Sequence, residues 1–184
     1  PPAIYTLSLR GALPISSASS LTGGACHITL AAAGTWNVVV TNPDTGSGSL
    51  ADGFTVQEYT VGSTGPAGGL VFYVNSNYET DGWRYLEAAP TDQDAGEGWC
   101  GSEYTSVQTN ASGTALGTGL SNTNTTIATT STANSGANGI AYNYTLGGYG
   151  DWFLPSIAEL NLMYTNLHLN SLGNFTAAGY WSSS

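Results

Sequence analysis

The chain has 184 residues, of which 12 are acidic and only Arg10 and Arg84 are basic, for a formal net charge of -10. Without lysine it lacks the clustered cations that hold phosphate or sulfate, which argues against nucleic acid, anionic membrane and sulfated glycan as partners. A hydrophobic fraction of 41% with 5 Trp and 11 Tyr is enough for a folded core, while 25 Gly and 7 Pro favour short strands joined by long polar connections.

Residues 1–16 look like the translated read-through of a sequencing adapter at the end of an assembled metagenomic reading frame, and they are set aside as a non-native tail. Without Arg10, the twelve carboxylates face a single cation, Arg84. No run of 18 apolar residues forms a membrane span, and no charged-then-apolar start marks a signal peptide. On the adapter reading, the natural start and any export signal lie outside this sequence.

Residues 17–57 alternate in a β-like way. Trp36, Val38 and Val40 fall on one face and Asn37, Val39 and Thr41 on the other, and Asn42, Pro43, Asp44, Thr45 and Gly46 supply a turn before a second strand near 50–56. The string G-T-W-N-V-V-V-T-N-P-D, followed by F-T-V, resembles the last part of an IPT/TIG immunoglobulin-like domain. The resemblance implies the closing strands of an all-β sandwich, with about half the domain present, unpaired edges and low stability alone. Cys26 and Cys100 are too few and too far apart for a metal framework, and their pairing stays open.

A short linker leads to a glycine-rich stretch, 61–69, and a strand at 70–74. The stretch precedes a strand and carries no lysine, so it fails both the P-loop and the dinucleotide patterns, and its glycines serve tight backbone geometry. A second short strand follows in D-G-W-R-Y-L-E-A-A-P, at 81–90. Arg84 lies there between Trp83 and Tyr85, where stacking or ion pairing is the first expectation. Residues 91–122 read as loops with Trp99 as an anchor, and 124–144, crowded with Thr, Ser, Asn and Gly, as a short or frayed helix.

The strongest helix signal runs from 156 to about 168. Ser156 is the N-cap and Glu159 its capping-box partner, while Leu160, Met163, Tyr164 and Leu167 recur at helical spacing and predict a core face. His168 at the far end faces the helix dipole favourably.

Four blocks in order, V-G-x-x-G-P-A-G-G-x-V-F-Y, D-G-W-R-Y-L-E-A-A-P, D-W-F-L-P-S-x-x-E-L and Y-W-S-S-S, resemble the Lcl C-terminal domain family of collagen-like bacterial surface adhesins. More distantly they are similar to the C-type-lectin-like superfold. The resemblance covers about residues 58–184 and implies an α+β domain lacking its last strands, extracellular or on the bacterial cell surface. By the same resemblance it would recognise glycan or a host or matrix surface and would assemble as a homo-oligomer, a trimer. The exposed-aromatic candidates for contact are Trp83, Trp99 and Tyr149, with Arg84 beside them. The family's name-giving adhesin binds sulfated glycosaminoglycans, whereas this acidic chain favours neutral glycans or protein as ligands.

Asp92, Asp94 and Glu97 alternate around glycines and offer oxygen ligands for calcium, or simply form a solvated acidic loop. The E-P-N and W-N-D tripeptides of calcium-dependent lectins are absent, so no cofactor is expected. Catalytic signals are thin. His27 and His168 lie in different modules, no G-x-S-x-G elbow occurs, and the catalytic cysteine pair of the similarly folded formylglycine-generating enzymes has no counterpart. The expectation is a binding module and not an enzyme, with two rivals. One is a structural or oligomerisation module without a ligand, and the other a divergent extracellular enzyme built on Cys100 and His168.

Overall fold

A computed structural model describes residues 6–7, 33–41, 47–94, 96–99, 108–130 and 135–184. Cys26, His27, Cys100, the turn at 42–46 and most of residues 1–16 lie outside the described residues. The chain divides into two compact units, Pro1–Glu58 and Tyr59–Ser184.

The first unit contains a three-stranded sheet in the order β1 (Thr6–Leu7), β2 (Gly34–Thr41), β3 (Ser47–Val56). β2 and β3 pair antiparallel from Gly34 opposite Val56 to Thr41 opposite Ser47, and β1 runs parallel to β2 beside Val39 and Val40. Between Trp36, opposite Phe54, and Val38, opposite Leu50, one residue of β2 answers three of β3. The surplus bulges around Asp52, which has φ 52° and donates its N–H to Asn37 Oδ1 at 2.9 Å.

The second unit is mixed α+β. Strands β4 (Leu70–Val74) and β5 (Tyr85–Ala88) form an antiparallel pair, linked by the single turn α1 (Tyr78–Asp81). Three helices follow: α2 (Gly119–Thr130), α3 (Gly136–Asn143) and α4 (Ile157–Asn166), with a 3-10 turn at His168–Asn170. β4 carries one extra residue, Phe72, between Val71 opposite Glu87 and Tyr73 opposite Leu86. Phe72 is buried with Ala88 and Leu167, packed by Leu86, Met163 and Phe175 among others. Its carbonyl accepts from Asn166 Nδ2 at 2.9 Å, tying the bulge to the end of α4.

The glycine-rich stretch holds an internal anion. Ala67 and Gly69 donate their N–H groups to Glu87 Oε1 and Oε2 at 3.1 and 2.9 Å. A Cβ on Gly65 would run into that carboxylate, and one on Gly69 into the Ala88 carbonyl and the Trp152 ring.

The frayed helix expected over 124–144 is instead two helices, with α2 starting at 119 and running three turns. Its weak helix formers find compensating partners. Thr125, Thr129 and Thr130 return their hydroxyls to carbonyls one turn back at 2.7 to 2.8 Å. On the buried face, Asn122 brackets Gly113, accepting from its N–H at 3.0 Å and donating to its carbonyl at 2.6 Å, while Thr123 Oγ1 accepts from Leu154 N–H at 3.0 Å. Tertiary hydrogen bonding here overrides intrinsic propensity.

α4 begins with the full capping box: Ser156 Oγ accepts from Glu159 N–H and Glu159 Oε2 accepts from Ser156 N–H. Glu159 does more than cap. It is completely buried, and its Oε1 accepts from Gly117 N–H at 2.8 Å, locking the loop before α2 onto the start of α4. Gly119 must lack a side chain, because a Cβ would strike this carboxylate and the Phe153 ring. Tyr164 departs from its expected core position: it is 52% exposed and stacks on His168 at 5.1 Å. The buried residue of that stripe is Leu167.

Candidate functional site

In the second unit, the loop after β5 is stitched to the last residues of the chain. Tyr180 donates its hydroxyl to both Asp92 oxygens at 3.0 Å, and Thr176 Oγ1 donates to Asp92 Oδ2 at 3.3 Å. Trp181 Nε1 donates to the Glu97 carbonyl at 3.0 Å, and Trp99 Nε1 to the Ser182 carbonyl at 2.6 Å. Ser183 is fully buried, donates its N–H to the Pro155 carbonyl at 2.7 Å and accepts from Asn122 Nδ2 at 3.1 Å. Y-W-S-S-S is therefore a clamp on the acidic loop and on the buried face of α2.

This stitching leaves a cleft of about 790 Å³, bounded by β5, α3, the segment 151–155, the loop 91–97 and the segment 175–181. Trp181, Tyr149 and Tyr180 line it while remaining 53%, 45% and 37% exposed, and half-buried Trp83 and Trp152 belong to the same aromatic wall. Trp152 packs edge-on against Tyr144 at 5.1 Å, and among the described residues its indole N–H has no acceptor.

Of the four residues expected to contact a ligand, Trp83 and Tyr149 are in this wall. Arg84 is not: its guanidinium lies over the rings of Tyr78 and Tyr85, at 4.7 and 5.5 Å from their centres, which is the stacking role. Trp99 is also outside the wall and acts as an anchor; besides its bond to Ser182, its carbonyl accepts from the Asn138 backbone and side chain at 3.2 and 2.9 Å. The sequence reading missed Trp152, Tyr180 and Trp181. All three stood in motifs already noticed, but nothing in a motif tells an exposed ring from a packed one.

Asp92, Asp94 and Glu97 all border the cleft without converging as the calcium expectation requires. Asp92 is engaged by two hydroxyls, and Asp94 Oδ1 accepts from Gly96 N–H at 2.9 Å. Among the described residues no group of three or more His, Cys, Asp or Glu side chains is placed to hold a metal. His168 is packed between Tyr164 and Phe175, with ring centres 5.1 and 6.2 Å away, and is not in the wall.

No family model, no curated protein and no solved structure matches this chain. Among the described residues no helix is long and apolar enough to cross a membrane.

Proposed function

We propose that the second unit is the binding module of an extracellular, adhesin-like bacterial surface protein and that it recognises glycan in the aromatic cleft. The observation that carries this reading is the cluster of Tyr149, Tyr180 and Trp181, large rings held half in water around a cavity of ligand size. A pyranose ring has a flat face of C–H groups that packs on an aromatic face, while its hydroxyls need a wet polar rim. Both are present, since the aromatic wall grades into the loop carrying Asp92, Asp94 and Glu97. The four motif blocks support a C-type-lectin-like, Lcl-type domain as the scaffold and a homo-oligomer as its working form.

The test is a glycan array probed with the full chain, with and without calcium at moderate salt, followed by Trp181→Ala and Tyr149→Ala. Loss of one stacking ring is expected to weaken binding about tenfold, corresponding to roughly 1.4 kcal/mol for an aromatic contact plus its buried area. A folded sample that binds no glycan would reject the reading in favour of a structural module.

A further inference from the structure

We propose that the cleft selects glycans bearing free amino groups, oligomers of a deacetylated hexosamine, over their neutral N-acetylated counterparts. The proposal rests on the glycan reading above and adds a charge preference to it.

Among the described residues the cleft wall includes Glu87, Asp92, Asp94, Glu97 and Asp151 and contains no Lys, Arg or His. Glu87 is occupied by the Ala67 and Gly69 amides, but the other four carry negative charge that no cation in the wall offsets. Asp92 receives hydroxyl hydrogen bonds and Asp94 one backbone N–H, neither of which neutralises a charge. Among the described residues no hydrogen bond reaches the side chains of Glu97 or Asp151. A concave surface with one sign of charge and apolar walls concentrates the field and raises the local concentration of the opposite charge.

The aromatic residues act in the same direction. Indole and phenol rings present a negative face, so Trp181, Tyr149 and Tyr180 attract an ammonium group as well as a sugar's C–H face. An aminated pyranose supplies both features within one ring. An extended basic peptide would usually be read by an exposed strand edge, whereas most of this wall comes from loops and helices.

Calorimetric titration of the full chain tests this with three probes: glucosamine oligomers, N-acetylglucosamine oligomers of equal length, and oligolysine. The aminated oligomer is expected to bind about tenfold more tightly than the acetylated one at low salt. That gap should close near 0.5 M salt, where screening shortens to a few Å. Asp94→Asn combined with Asp151→Asn should narrow the preference, weakening binding of the aminated oligomer more than that of the acetylated one. Equal or tighter binding of the acetylated oligomer overturns the charge preference and leaves the glycan reading standing. Oligolysine binding as tightly as the aminated sugar also overturns it, since the cleft would then select charge without sugar. No binding of either sugar overturns the charge preference and leaves the glycan reading to be decided by the array.

Discussion

The second unit has two interiors of opposite chemistry. Around Phe72, Ala88 and Leu167 the buried side chains are hydrocarbon, and their shape governs what fits. Around α2 and the start of α4 the fully or almost fully buried side chains are Asn122, Thr123, Thr126, Thr130, Ser156, Glu159 and Ser183. Such an interior gains little from transfer out of water. It is stable only where each donor meets an acceptor, so a substitution there has an effect whose sign depends on pairing and not on size.

The largest effect is expected in the apolar interior. Phe72→Ala should cost about 4 kcal/mol through lost burial and the cavity it leaves, measured as a shift in the urea midpoint of the full chain followed by tryptophan fluorescence. Phe72→Leu should recover most of that loss, and a failure to do so would mean that ring shape at the bulge matters more than volume. Glu159→Ala should follow at about 3 kcal/mol, because it strands the buried Ser156 amide, removes the acceptor of the Gly117 amide and empties a fully buried site. A cost below about 1 kcal/mol would show that water replaces the carboxylate and would break the contrast between the two interiors.

The smallest effects give the sharpest test. Thr123→Val removes a hydroxyl that serves Leu154 and should destabilise by about 1 kcal/mol. Thr126, one turn on, is equally buried, but among the described residues its hydroxyl has no partner, so Thr126→Val should stabilise by a few tenths of a kcal/mol. The same exchange at neighbouring turns is thus expected to have opposite signs. Equal signs would show that helix propensity governs this face.

Local signals made part of this fold legible. The capping box at Ser156 and Glu159 and the strand at 70–74 each depend on residues a few positions apart, and the structure contains both. α2 was illegible because its support comes from afar: Gly113 lies nine residues from Asn122, Leu154 lies 31 from Thr123, and Ser183 lies 61 from Asn122. Composition could indicate only that Thr and Asn are poor helix formers, not that their side chains would be consumed elsewhere. The site divides in the same way. Arg84 between aromatic neighbours and Trp99 as an anchor were legible from local sequence, whereas the gathering of Trp152, Tyr180 and Trp181 at the cleft depends on tertiary contacts.

The bond between Asn122 and Ser183 also bears on the order in which the chain is made. A ribosome releases α2 long before residue 183, so during synthesis the helix must wait with the Asn122 amide bonded to Gly113 alone and the acidic loop unclamped. Vectorial folding of this unit therefore cannot be complete before residues 181–183 emerge. A nascent chain halted before them would expose the rings of the cleft and the polar face of α2 together, a state that a chaperone or a protease can recognise.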